Sequence, residues 1–498
     1  MQSRSSFDTR AAIPTALALA LLSLSCRGAE SPTAPSTQAA KGGPGGGPTV
    51  STVVPDNSIP GVTLDITVNG SGFDQGSVVR LERGGVPAAG VTTNSTTYLS
   101  TRKLKANITI AATADTGKYD VAVTTSGGRK GVGIELFSIV YVMDELGIIG
   151  GTWSRAHAIN DLGEVVGASC TVDCLATAFI WTEAGGQVAL PGLSGYSRTG
   201  AYGITNQGRI FGEATCRPED PGCGGLLKKQ LIRWDRNGSG WTVTPVQGCS
   251  LASIQSDFHQ RFLINNNEQC LARGPDGRLA FQTLSGGSVA AQELLPKAGA
   301  SGGSDQAYGL SDAGMVAGFA TSGTGSSGIL EAIVWYRRAG GWSFLRLPLP
   351  ATYEWGRATD LSAPDAAGRV RVSGFIEDVA PRIGDMQPVR WTLVPDGLGG
   401  WTVSPPELLE APSTGHLYKG GVAIAISPSG QAVGKFGRYA DAGLPAFWPI
   451  GGPVEQLPGL VSNGEGRGND INSQGWIVGA VFDPANGCER AAIWRQQL

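Results

Sequence analysis

The stretch Ala156-His157-Ala158-Ile159-Asn160-Asp161-Leu162-Gly163-Glu164-Val165-Val166-Gly167 decides how this chain is read. Ile159 closes a short apolar run, Asn160 opens a tight turn, and Gly163 supplies a turn conformation that residues with a Cβ adopt poorly. Val165 and Val166 then begin a β-branched strand. The unit returns at Tyr202-Gly203-Ile204-Thr205, Tyr308-Gly309-Leu310-Ser311, Ile424-Ala425-Ile426-Ser427 and Asn469-Asp470-Ile471-Asn472. Each of these is followed at the same spacing by two glycines, as in Gly208 and Gly212. Two copies are worn. Phe262-Leu263-Ile264-Asn265 carries Glu268 at the turn-glycine position, and Thr359-Asp360-Leu361-Ser362 reaches Gly368 only after an insertion.

Every copy leads to an aromatic strand marked by Trp181, Trp234, Phe281, Trp335, Trp391, Trp448 or Trp494, spaced 46 to 57 residues apart by subtraction. A fourth strand usually ends in Leu-Pro, at Leu190-Pro191, Leu295-Pro296, Leu347-Pro348 and Leu457-Pro458, while the copies after Trp234 and Trp391 lack a clean pair. Four short strands in roughly 50 residues, repeated, is the arithmetic of a β-propeller blade. The seventh copy stops at Leu498 with no room for a fourth strand. An orphan that looks like one, Tyr141-Val142-Met143-Asp144-Glu145-Leu146-Gly147, stands before the first copy. Pairing the two closes a ring and removes both free edges. The expected fold class is therefore all-β, with a seven-bladed β-propeller over residues 141–498.

The turn unit with Gly150-Gly151-Thr152-Trp153-Ser154 before it and Ala178-Phe179-Ile180-Trp181 after it resembles the HAF repeat of bacterial extracellular proteins. That resemblance implies a secreted repeat protein and almost nothing about mechanism. Residues 48–140 follow a different pattern, with period-two strands such as Thr63-Leu64-Asp65-Ile66-Thr67-Val68 bounded by glycine turns, which reads as an antiparallel β-sandwich. Val54-Pro55, Gly61, Gly70-Ser71-Gly72-Phe73 and Gly117-Lys118-Tyr119-Asp120-Val121 resemble an IPT/TIG immunoglobulin-like domain. In such families this domain is a spacer or protein-contact module.

Residues 1–26 carry Arg4 and Arg10, the apolar run Ala16-Leu17-Ala18-Leu19-Ala20-Leu21-Leu22, then Ser25-Cys26. A basic start and a short apolar core form an export signal, too short to span a bilayer. Cys26 directly after it resembles a bacterial lipoprotein signal, with Ser23 where Leu is usual; the resemblance makes Cys26 the lipidated first residue and places the protein at the cell envelope. Arg27 in place of Asp implies, in such families, outer-membrane or cell-surface sorting. Residues 27–47, rich in Pro, Gly, Ser and Thr, read as a disordered tether.

The formal net charge of −3 gives no footprint for nucleic acid, and three His argue against a His-rich metal site. No metal and no cofactor is expected. The chain contains no Gly-x-Ser-x-Gly, His-Glu-x-x-His, P-loop or calcium-loop motif, and its acidic residues are scattered. The turn Asn and Gly residues read as hairpin formers and the third-strand Trp residues as inter-blade core. An exported chain makes disulfides the default for its remaining cysteines. Cys216 with Cys223 is the first pair; Cys249 and Cys270 lie at one blade junction, and Cys170 or Cys174 is expected to reach Cys488. A thiolate metal site is the weaker alternative, since no His is spaced to complete it.

Arg155, Arg357 and Arg467 each stand five residues before the turn residue, where the chain enters the central channel. Gly200, Gln260, Gln306 and Val422 occupy that position in the other copies. Each Arg reads either as a stem packed on an aromatic and paired with a carboxylate such as Glu465, or as part of an anion-binding rim, since guanidinium forks match planar anions. The functional reading is a cell-surface binding or protein-interaction scaffold without enzymatic activity, with an anionic glycan or a protein as partner and the membrane touched only through the lipid. The alternatives are a propeller lyase or glycoside hydrolase acting on extracellular polysaccharide, and a structural envelope protein. Replacing Cys26 by Ala is expected to move the protein from the membrane fraction to the soluble one, because a single lipid-bearing residue is the anchor; fractionation followed by immunoblotting checks this.

Overall fold

The computed structural model describes residues 46–495 apart from 112–113, 239, 250–262, 275, 300–302, 323–328, 378–385, 411–419, 438–442, 452–453 and 462–463. Cys26, the signal and nearly all of the tether lie outside the described residues, as does Gln260. The described chain is all-β and propeller-like.

Two sheets make up the N-terminal part. One pairs Thr49–Val54, Thr63–Ser71, Lys103–Ile110 and Val91–Ser100 in that order. The other runs Asn57–Ser58, Lys130–Ile139, Gly117–Thr124, Val78–Arg83, Val86–Pro87. Alternation along Lys103–Ile110 sends Leu104, Ala106, Ile108 and Ile110 inward, where they meet Val79, Tyr119, Val121 and Phe137 of the second sheet. That inward/outward period of two is what makes the pair a sandwich.

From Val142 onward the sheets are antiparallel and follow the sequence copies. The first comprises Ser154–Ile159, Val165–Cys170, Ala176–Thr182 and Gly186–Ala189. The second, fourth, fifth and sixth repeat this order; the fifth has a further short strand, Glu407–Leu408, on Met386–Pro395. The third, worn copy shows three strands and an isolated bridge between Ile264 and Cys270. Glu268 there adopts φ 53°, so the missing glycine leaves a side chain in the left-handed region. The last sheet takes Gly466–Ile471, Ile477–Asp483 and Cys488–Arg495 from the C-terminal end. Its outer strand is Val142–Glu145, with Met143 opposite Trp494.

Core clusters link each sheet to the next and return to the start. Phe375 and Met386 of the fifth sheet meet Val422 and Ile424 of the sixth. Phe447 of the sixth meets Trp494 of the last, and Val478 of the last meets Phe179 and Trp181 of the first. The aromatic and Leu-Pro markers turn out to be partners. The indole N–H of Trp234, Trp335, Trp391 and Trp494 donates to the carbonyl of Pro191, Pro296, Pro348 and Pro458 of the sheet before it, at 2.7–3.0 Å. Trp448 uses Glu410 O instead. The Leu of each pair donates its own N–H to the third strand of its sheet, as Leu190 does to Ala178. Val246 and Leu409 make the same bond in the two copies without a clean Leu-Pro, and Leu146 makes it to Ala491 for the last sheet.

The sandwich touches the repeat region at Glu455. Burial pushes this carboxyl up to about 7, against the pull of the Thr116 hydrogen bond and the Arg83 guanidinium. Arg83 in turn donates to Thr116 O at 2.7 Å.

Deleting residues 141–146 removes buried Tyr141 and Leu146 and bares the edge at Cys488–Arg495. A stability loss on the order of 5 kcal/mol is expected from the side chains alone, with aggregation from the open edge. Thermal melts and light scattering measure both; a monomeric truncation with an unchanged melting temperature would contradict the role of this strand.

Candidate ligand site

The inner strands are built alike. In six of them one residue bulges out of register: His157, Tyr202, Tyr308, Thr359, Ile424 and Asn469. Three of these side chains reach the backbone of the following sheet. His157 Nδ1 donates to Ala201 O at 2.9 Å, Thr359 Oγ1 to Ala423 O at 2.7 Å and Asn469 Nδ2 to Ala156 O at 2.8 Å. The next residue helps where it is acidic: Asp360 Oδ2 accepts from Ile426 N, and Asp470 Oδ2 from Ile159 N.

The turn residue does two jobs. Asn160 Oδ1 accepts from Leu162 N and Glu164 N, which shapes its own turn. Its Nδ2 donates to Thr205 O of the following turn. Asn265 and Asn472 repeat both bonds. One position further on, side chains form an arc: Ser473 N to Asp161, Asp161 N to Asn206, Asn206 N to Asn266, Asn266 N to Asp312. Ala363 and Pro428 interrupt it, having no side-chain acceptor. All the turn units line one cavity of about 180 Å³. Its carboxylates are spent on neighbouring turns; Asp161 is held below the usual carboxylate range by bonds from Ser473 and Asn206, although burial works against this.

The opposite ends of the inner strands carry the arginines. Arg155 and Arg467 are brought together on one carboxylate, Glu489. Glu489 is the functional residue that reading the sequence missed. Its only signal is a charge five residues before Trp494 in a strand that is otherwise apolar there, and the partner expected beside Arg467 was Glu465. Burial opposes the ionised form, but the two guanidiniums outweigh it and hold Glu489 at about 2. Arg155 also lies over the Trp153 ring at 5.3 Å. Arg357 stays apart on the fifth sheet, between the rings of Phe319 and Phe375 at 5.3 and 5.4 Å. Its Nε and Nη1 are buried and have no hydrogen-bond acceptor among the described residues. Glu377 feels its charge: burial raises the Glu377 pKa, against the pull of Arg357.

His157 and Tyr202 stack beside this cluster, centroids 4.7 Å apart and 17° between planes. Burial drives His157 down to about 4, aided by Arg155 and Arg467 and opposed by the Ala201 bond. Burial raises the Tyr202 hydroxyl, with Glu213 adding to the rise. His157 is buried, stacked and committed through Nδ1 to Ala201 O, so the pair reads as packing.

The cysteines are placed in three ways. Cys216–Cys223 and Cys249–Cys270 are disulfides. The pairing of Cys170 or Cys174 with Cys488 does not form. Cys488 opens the strand Cys488–Arg495 of the last sheet, whereas a tight turn closed by Cys174 N and Thr171 O sets the Cys174 thiol 3.9 Å from Cys170 Sγ. No group of three or more His, Cys, Asp or Glu that could hold a metal ion occurs among the described residues, and no helix among them is long and apolar enough to cross a membrane.

No family model matches the chain, and no curated protein matches it. Solved structures do, at a distance. A triple-arginine mutant of AofleA from Arthrobotrys oligospora is 12% identical, with 70% of this chain and 91% of that one covered and a TM-score of 0.28. The N-terminal domain of Nup159 is 9% identical over 71% and 95%, TM-score 0.31. Apo AztD from Citrobacter koseri is 10% identical over 76% and 96%, TM-score 0.26. At these scores none bears on what the chain does.

Two groups here tie stability to acid in the same direction. His157 has a folded pKa below its ordinary 6.5, so its contribution is complete above pH 6.5 and is lost as pH falls toward 4. Glu489 has a folded pKa below its ordinary 4.5, so its contribution is complete above that and is lost as pH falls toward 2. Each is worth about 3 kcal/mol. Melting temperature is expected to fall in two steps on acidification, and His157→Gln should flatten the first step only.

Proposed function

We propose that the protein is an exported, lipid-anchored binding scaffold. In this reading residues 48–140 are an IPT/TIG immunoglobulin-like spacer and residues 141–498 a seven-bladed β-propeller of HAF-type repeats. The convergence of every turn unit on one cavity and the completion of the last sheet by Val142–Glu145 support the ring. The ligand is an anionic glycan, held at the arginine end of the channel.

One observation carries the choice of ligand: the cationic groups there exceed their acceptors. Arg155 and Arg467 share a single carboxylate, and two N–H groups of Arg357 have no acceptor among the described residues. A guanidinium fixed between two aromatic rings is already oriented, so little rotamer entropy remains to be lost when a carboxylate or sulfate docks.

Arg357 is the residue to test. Removing Arg155 and Arg467 together would strand Glu489 in a mostly buried setting, which costs several kcal/mol and confuses affinity with folding. With Arg357→Gln, affinity for alginate- or pectin-type oligomers is expected to drop at least tenfold, about 1.4 kcal/mol, and wild-type binding to weaken with salt. Calorimetric titration that finds equal binding by both proteins, or none by the wild type, would refute the reading.

A further inference from the structure

The loop after the second strand of the first sheet holds two cysteines that belong neither to a disulfide nor to the arginine cluster. Cys170 ends the strand Val165–Cys170 and is fully buried, while Cys174 is exposed, with φ 56°. A tight turn links them, closed by Cys174 N donating to Thr171 O at 2.9 Å. It brings the Cys174 thiol to 3.9 Å from Cys170 Sγ.

The surroundings of Cys170 Sγ are unusual for a buried sulfur. It accepts the backbone N–H of Thr152 at 2.9 Å and of Trp153 at 3.4 Å, with Thr152 Oγ1 at 3.8 Å. The strap that carries these donors can approach only because residue 151 is glycine; a Cβ there would collide with the sulfur. A ring of donors around sulfur favours the thiolate over the thiol. Burial opposes ionisation, but the Trp153 and Thr152 donors hold the Cys170 thiol below its ordinary pKa.

We propose that Cys170 and Cys174 form a thiol–disulfide exchange site, with Cys174 the point of entry and Cys170 the resolving thiolate. The co-reactant is an external disulfide. The exposed Cys174 thiolate attacks one of its sulfurs, the external S–S bond breaks and one thiol leaves. The Cys170 thiolate then attacks Cys174 Sγ in the mixed disulfide, the Cys170–Cys174 bond forms and the second thiol leaves. Two cysteine thiols of the protein are oxidised, one external disulfide is reduced to two thiols, and the two protons pass to those thiols. In the reverse direction an external thiolate attacks exposed Cys174, and Cys170 leaves readily because its thiolate is already solvated by the strap.

The geometry makes the two cysteines unequal, and that inequality is the test. Purified full-length protein is equilibrated with glutathione buffers without denaturant, free thiols are blocked, and the peptide spanning both cysteines is read by mass. Wild type is expected to show the Cys170–Cys174 disulfide and to reopen it under thiol excess that leaves Cys216–Cys223 closed. Cys170→Ser is expected to hold glutathione on Cys174 at least tenfold more than wild type, and Cys174→Ser to leave Cys170 unmodified. Cys170→Ala serves as a second resolving-site variant, and if neither Cys170 variant folds, the wild-type products decide. Wild type that accumulates glutathione on Cys174, that pairs Cys174 with Cys488, or that keeps both thiols reduced under oxidising buffer overturns the proposal.

Discussion

Five sheets of the repeat region are tied to the sheet before them by a bond between a tryptophan indole and a backbone carbonyl at that sheet's end. A four-stranded sheet with apolar residues on both faces cannot bury them alone, so it is stable only when stacked. Trp234, Trp335, Trp391 and Trp494 supply the bulk that fills the gap, each essentially inaccessible to solvent. Their indole N–H would be costly to bury unpaired. The preceding proline carbonyl pairs it, and proline suits that place because its own missing N–H needs no partner. Packing and hydrogen bonding thus select the same neighbour at the same register.

Where the turn units meet, the logic is polar. The side chains of Asn160, Asn265 and Asn472 each satisfy their own turn and the next one, so a bond that shapes a hairpin also fixes the spacing of neighbours. The aspartates of the cavity these turns line each accept a bond from a neighbouring sheet or turn. The arginine end is different, because Arg357 rests on aromatic rings rather than on a carboxylate. The two ends of the inner strands thus differ: one is closed by internal bonds, and the other carries three arginines of which two share a carboxylate.

Charge also sets opposing responses to pH. Glu455, where the sandwich meets the repeat region, has a folded pKa raised to about 7. Its contribution is complete below its ordinary 4.5 and is lost as pH rises toward 7. His157 and Glu489 lose theirs on acidification instead. The contact between the two parts and the contacts of the first sheet with its two neighbours therefore favour different ends of the pH scale.

The sequence alone determined the all-β class, the position of each turn unit and the strand that completes the last sheet, because these rest on local signals. Asn and Gly shape a turn wherever they stand, and an orphan strand is visible against a repeat. Cys216 and Cys223 were legible as a pair because a short loop holds them together. Tertiary structure decided what depends on neighbours far apart in the chain. Val246 and Leu409 take the place of Leu in Leu-Pro, which no pattern revealed, because the requirement is a backbone N–H and a buried side chain rather than a named residue. Glu489 lies 334 residues from Arg155, and only the return of the last sheet to the first sets them side by side. Cys170 and Cys174 face each other rather than Cys488 because a tight turn, closed by Cys174 N donating to Thr171 O, folds the loop back on the end of its own strand.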